Sequence, residues 1–156
     1  MNNQKLYISH RGNLQGPNLG LENTTDYIID AIYKNFEVEV DVWLYKNKWY
    51  LGHDEPTTPT DLNFLNKFYK KLWIHCKNLE ALSFFIEHKS KYNYFWHETD
   101  RYTITSWNYM WCYPNVETTQ QSIIVAFGKE TYENKICLGI CSDYIIEIKN
   151  HYANIQ

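Results

Sequence analysis

Residues 37–43 read Glu-Val-Glu-Val-Asp-Val-Trp, and this stretch limits the folds open to the chain more than any other. Successive side chains of a strand point to opposite faces, so Glu37, Glu39 and Asp41 share one face and Val38, Val40 and Val42 the other. In a central strand the three carboxylates repel one another and lose hydration, a penalty that a bound divalent cation with oxygen ligands offsets. On an edge strand the same residues are only a solvated acidic face. Glu37, the earliest of the three, is the one most readily left to a structural role.

Strand, loop and helix signals alternate around this segment. Short runs rich in β-branched and aromatic residues lie at 6–9, 36–44, 49–52, 72–76, 94–96, 109–112, 123–127 and 136–141. Helical periodicity marks 26–33, 61–69 and 79–86, the last behind Asn78 as a good N-cap. Such alternation favours an α/β architecture with a mainly parallel sheet. Eight candidate strands suggest a closed (β/α)8 barrel, a fold that typically takes about 250 residues. The 156 residues present require several outer helices to be missing or shortened. The expectation is therefore a reduced (β/α)8 TIM-type barrel, one domain over residues 1–156, with an open sheet as the alternative. Its second half is the reduced one, because the connections after Tyr94 are too short or too polar for full helices.

Composition narrows the partners. Lys and Arg total 15 against 18 Asp and Glu, with no basic tract, which argues against nucleic acid. The longest apolar run, 123–127, is far short of the roughly 20 residues of a membrane span, and the first residues lack the apolar stretch of a signal peptide. A cytoplasmic location is the expectation. Cys76, Cys112, Cys137 and Cys141 form no CxxC pair and sit in strand-like apolar runs, so they read as reduced core residues.

Four features carry chemistry. His10-Arg11-Gly12 follows the first strand and precedes the loop Gly16-Pro-Asn-Leu-Gly20 and then Glu22-Asn23-Thr24. In parallel α/β proteins, functional groups gather at the carboxyl ends of strands. The acidic strand is the second feature. Gly52-His53-Asp54 puts another histidine at a strand end, and two histidines can divide proton removal and donation in phosphate ester cleavage. His75 and Lys77 share a face at the end of the run 72–76, where a lysine can hold phosphate as a point charge. Taken singly, each has a bland reading: His10 bonded to loop backbone, Arg11 a solvated charge, His53 exposed, His75 a core histidine, Lys77 a charge near a helix start. The aromatic stretches 94–101 and 107–111 read mainly as core filling. Trp111 as a stacking platform for a glycerol or sugar-like group, and His97 or Glu98 as specificity groups, are the functional alternative.

In this order, His-Arg-Gly, Glu-Asn-Thr, Glu-x-Asp and the later His53-Asp54 resemble the glycerophosphodiester phosphodiesterase family, whose fold is a (β/α)8 barrel related to that of phosphatidylinositol-specific phospholipases C. The resemblance is specific over residues 8–54. Downstream it is fainter: 73–78 looks like a later barrel strand, and Gly139-Ile-Cys-Ser-Asp143-Tyr looks like the closing one. It implies His10 and His53 as catalytic residues, Arg11, Lys77 and Glu22 around the substrate, and Glu39 and Asp41 as metal ligands; the family's glutamate at Glu22 also reaches toward the metal. His75 departs from the pattern, standing where the family usually has a further acidic ligand. Imidazole is a poor ligand for Mg²⁺ or Ca²⁺, the metals the resemblance implies, and suits Mn²⁺ or Zn²⁺ better. Either His75 is a ligand and the metal differs, or His75 contacts substrate and water replaces the carboxylate. The implied activity is metal-dependent hydrolysis of a small glycerophosphodiester-like or sugar or headgroup phosphodiester. A catalytically weak module that binds a phosphate ligand is the alternative. Apolar surface left by missing helices makes a homodimer the expected assembly.

Overall fold

The structure, a computed structural model, describes residues 5–88, 90–128 and 131–154. The acidic strand organises it. β2 (Glu37–Tyr45) runs parallel to β1 (Leu6–His10) on one side, with His10 opposite Glu39. On its other side it is parallel to β5 (Leu72–Cys76), with Asp41 opposite His75. Past the end of β1, on the edge opposite β5, its distal end pairs antiparallel with β3 (Lys48–Leu51). β2 is thus central, and Glu39 and Asp41 are buried, which rules out the solvated-edge reading for them. Beyond β3 lies β4 (Thr58–Thr60), and beyond β5 lies β6 (Asn93–Phe95). From β1 the sheet continues through β10 (Gly139–Ser142), β9 (Ser122–Ala126) and β8 (Met110–Cys112), all parallel, to antiparallel β7 (Tyr102–Ile104).

The reduced (β/α)8 TIM-type barrel is not what forms. The described residues fold into a curled mixed sheet of ten strands, a half-barrel, with four short helices: α1 (Thr25–Tyr33), α2 (Leu62–Phe68), α3 (Leu79–Glu87) and α4 (Ile145–Ala153). Chain length is the physical reason. α1 and α3 make ordinary crossovers, but the link from β2 to β5 also carries the β3–β4 hairpin. No α-helix lies between β6 and β10 among the described residues, and β7 turns back on β8 in place of a crossover. β6 and β7 are not paired with each other. Loop contacts draw these margins together instead: Ser106 donates its backbone N–H to the Tyr94 carbonyl and its hydroxyl to that of Tyr92, and Thr103 donates to the Trp96 carbonyl.

Two apolar layers hold this shape. On the outer face Val38, Val40, Val42 and Ile74 pack against Ile28 and Ile32 of α1, Leu65 of α2, Phe85 of α3 and the start of α4. On the inner face Ile8, Trp73, Phe95, Trp111, Ile123 and Cys141 form a separate cluster. Trp111 lies 4.7 Å from Phe95 and 5.9 Å from Trp73 between ring centroids, so aromatic contact spans the interior of the curl. Aromatic rings supply the most burial per residue, which offsets the missing helices. Glu37 has the structural part expected of it, accepting a 2.7 Å hydrogen bond from Trp73 Nε1 at the floor.

The helices match their sequence signals closely, with Asp61 and Asn78 capping α2 and α3 through their side chains. α4 has no such cap and a mixed surface, and the sequence reading missed it. It also missed β4 and β7, three residues each, and placed the last strand too early, at 136 in place of Gly139. All four cysteines are free; three are buried and Cys137 is half-buried. No helix among the described residues is long and apolar enough to cross a membrane.

Gly52 gives a direct test of the strand arrangement. Its φ is +149°, its N–H donates to the Asp41 carbonyl, and its own carbonyl accepts from Trp43 Nε1 at 2.7 Å. A Cβ there would stand 2.1 Å from the Glu55 carbonyl oxygen. Gly52→Ala is expected to destabilise the protein by about 2 kcal/mol or more, read as a lower denaturant midpoint. An unchanged midpoint would mean that the turn after β3 is not built this way.

Candidate functional site

The inner faces of β1, β5 and β10 change character along their length. Each starts apolar and ends charged: Ile8 then His10, Trp73 then His75 and Lys77, Cys141 then Asp143. These ends, with the loop after β1, border one open cleft of about 660 Å³ that also reaches Glu22, Glu39 and His53. Asp41 lies beneath it, fully buried. Every residue singled out from the sequence as catalytic, substrate-binding or metal-ligating therefore lines this cleft or its floor.

Glu39, Asp41 and His75 can hold a metal ion, their candidate ligand atoms lying within 4.8 Å of one another. His75 is pre-oriented for this. Its Nε2 is 2.7 Å from the His97 carbonyl oxygen, which can only accept, so Nε2 carries the proton. The ring also stacks on Phe95 at 5.0 Å. Nδ1 is thereby aimed at Asp41 Oδ1, 3.1 Å away, and Glu39 Oε1, 3.6 Å away. A carbonyl that accepts from the far ring nitrogen, and so fixes the tautomer, is the usual support of a metal-binding histidine. Asp41 is steadied by Asn23, whose side chain donates to Oδ2 at 2.9 Å and accepts from the Asp41 N–H at 3.1 Å. Asp41 Oδ1 and Glu39 Oε2 nonetheless remain buried without an aligned hydrogen-bond donor. Orphaned carboxylate oxygens facing an imidazole nitrogen fit a cation.

Without a cation, protons and cationic side chains balance these carboxylates. Burial alone would lower the His75 pKa, but nearby Asp41 and Glu39 outweigh it and push it up to about 9. Burial alone would raise the Asp41 pKa, but His75, Arg11 and Lys77 hold it well below the usual carboxylate range. Arg11 Nε is 3.0 Å from Asp41 Oδ2 and Lys77 Nζ 3.7 Å from Oδ1. Two permanent cations therefore flank one carboxylate of the triad.

His10 belongs to a second network. Its Nδ1 is 2.8 Å from Asp143 Oδ1, which leaves Nε2 toward Glu39, 3.8 Å from Oε2. Burial disfavours the charged ring, but the Asp143 hydrogen bond and the Glu39 charge prevail, so its pKa is raised. Asn13, fully buried, donates to both Asp143 Oδ1 and Glu22 Oε1 at 2.8 Å, and Arg11 Nη1 lies 3.3 Å from Glu22 Oε2. Glu22 is thus a brace for Arg11 and Asn13. His53 stands at the rim, its side chain 43% exposed and its Nδ1 2.7 Å from Asp54. His97, Glu98 and Trp111 also border the cleft, and Trp111 is nearly buried as part of the inner aromatic cluster.

Asn13, Asn23 and the positioning contribution of Asp143 were not picked out from the sequence. Asp143 had a usable signal, because it stands just past a strand end as His10 does. Asn23 is the middle residue of Glu22-Asn23-Thr24, and nothing in one sequence tells its amide from a loop asparagine.

Mn²⁺ at about 1,000 times its Kd is expected to stabilise the protein by about 4 kcal/mol, seen as a higher melting temperature. His75→Ala and Asp41→Asn should each remove the increase, and Asn23→Ala should weaken binding about 10- to 100-fold in calorimetry. Full stabilisation of His75→Ala by Mn²⁺ would exclude His75 as a ligand. Compared with family models, curated proteins and solved structures, the chain matches none, and its chemistry is read from the geometry of this cleft.

Proposed function

We propose that the protein is a metal-dependent phosphodiesterase whose cleft resembles, in its residues though not in its barrel, that of glycerophosphodiester phosphodiesterases. The observation that carries this reading is the shared position of Asp41, at once a carboxylate of the metal-capable triad and the contact of both permanent cations, Arg11 and Lys77. A tetrahedral dianion or diester monoanion is the ligand class that uses a divalent cation, a guanidinium and an ammonium at one point. A divalent cation on Glu39, Asp41 and His75, with Mn²⁺ or Zn²⁺ favoured by the imidazole, supplies Lewis-acid polarisation of a phosphoryl oxygen when bound.

The chain's own residues divide the remaining work. Arg11 and Lys77 hold the phosphoryl oxygens and neutralise charge that builds there. His10, with Nδ1 held by Asp143, presents Nε2 to the cleft as one proton-transfer group. His53 at the rim is the other, its half-exposed ring suited to exchange protons with solvent or with the departing alcohol. Asp143 acts through His10 and is a positioning residue. Small glycerophosphodiester-like, sugar or headgroup phosphodiesters are the substrates of this reading.

Release of alcohol from a panel of glycerophosphodiesters and a nitrophenyl diester, with Mn²⁺, Zn²⁺, Mg²⁺ or Ca²⁺ and with chelator, tests it. Turnover is expected with a divalent cation and absent with chelator. His10→Ala should lower kcat roughly 100- to 10,000-fold, and Asp143→Asn should lower kcat more than it changes KM. Folded protein that binds phosphate with metal but turns over no diester would replace this reading with the phosphate-binding module.

A further inference from the structure

Charge is unevenly distributed around the cleft. The inner faces of β1, β2, β5 and β10 end in charged groups, whereas those of β8 and β9 carry none. Period two places Trp111 and Tyr113 on the inner side of β8, and Ile123, Val125 and Phe127 on that of β9. Phe127 follows Ala126, the register partner of Ser142, and Asp143 follows Ser142. The aromatic ring therefore stands beside the Asp143–His10 pair at the end of the neighbouring strand. It is held there 57% exposed, and Tyr113 is 47% exposed. Leu19, on the loop after β1, borders the same mouth at 86% exposure. Phe127 also borders an adjoining cavity of about 230 Å³ with Tyr132 and Tyr144, so aromatic surface continues past the cleft.

An exposed aromatic wall next to a charged floor calls for a ligand with the same division. We infer that one ester group of the substrate is an apolar, planar alcohol, seated on Phe127 and Tyr113 over Trp111, while the phosphate lies against Arg11 and Lys77. Three of the four largest inner side chains of this sector are aromatic, which favours a ring over an alkyl chain because stacked rings gain beyond their buried area. Phe127 is then a specificity-determining residue, distinct from the groups that handle phosphate. This inference rests on the phosphodiesterase reading and specifies one side of its substrate, an aryl-type alcohol, while the other alcohol stays small and polar.

Calorimetry with two unreactive probes, methylphosphonate and 2-naphthylmethylphosphonate, each in the presence of Mn²⁺, separates the two levels of the argument. The naphthyl probe is expected to bind roughly tenfold or more tightly. Phe127→Ala should bring that ratio toward one, and so should Tyr113→Ala as an independent variant. Ile104→Ala, a 70% exposed residue of β7 outside the cleft lining, should keep it. Phe127 is more than half exposed, so its truncation leaves both core clusters intact, and an unshifted melting temperature checks this. Equal affinity for the two probes, or an unchanged ratio in both variants, would overturn the aromatic subsite while leaving the phosphate site standing. Failure of both probes to bind would overturn the phosphate site itself and the subsite with it.

Discussion

The site depends on one buried charge. Asp41 is fully buried on a central strand, in contact with Arg11, His75 and Lys77 and clamped by Asn23. An ionised carboxylate without such partners would be too costly to bury and would take up a proton instead. Glu22, Glu39, Asp41 and Asp143 form one contact network with His10 and His75, in which Arg11 and Lys77 are the permanent cations. With both imidazoles neutral, two negative charges remain uncompensated. A divalent cation restores the balance, and so does protonation of His10 and His75, the direction in which both pKa values are driven. The same carboxylates that could hold a cation thus raise the proton affinity of both histidines. Removing the Asp41 charge would lower the proton affinity of His75 as well as remove a candidate metal ligand, since that charge is part of what holds the His75 pKa up.

The curled sheet makes this concentration of charge tolerable. Its inner face is apolar below and charged above, so the aromatic cluster of Trp73, Phe95 and Trp111 closes the floor while the carboxyl ends stay open to solvent. A complete barrel would need more strand pairing and more helices. Here the β6 margin meets the segment around Thr103 and Ser106 through only a few hydrogen bonds. The shape is thus set by interior aromatic packing and the outer helices together, and the helices are concentrated on the strands that carry the metal-capable triad. α1 and α3 both pack on β2.

How much of this was legible in the sequence follows from which signals are local. The acidic strand declared itself through period two, and His10, His53 and Lys77 through their place at strand ends, because each depends on neighbours within a few residues. The overall closure was not legible: eight strand signals, none of them at β7, counted alike whether they pair in a ring or, as here, leave β6 paired with β5 alone. Three-residue strands such as β4, with Pro59 at its centre, give no periodicity to read. The bonds from His75 to the His97 carbonyl and from Asn13 to Asp143 join residues 22 and 130 positions apart, beyond the reach of any local pattern.

The spacing between His10-Arg11-Gly12 and Glu22-Asn23 has a physical cause that the structure exposes. Arg11, Gly12, Gly16 and Asn23 all have positive φ, so the loop folds back on itself. Asn23 N–H donates to the Arg11 carbonyl at 3.1 Å, and Arg11 N–H to that of Glu39 at 3.0 Å, which ties the loop's two ends to β2. At Gly12, with φ +94°, an added Cβ would stand 2.6 Å from the Tyr27 ring, so glycine is required there on two counts. The loop therefore delivers a cation, a carboxylate and a carboxamide to one point from a single backbone fold. Its left-handed residues serve the site directly, because a fully right-handed backbone over these positions would carry Glu22 and Asn23 away from Arg11 and Asp41.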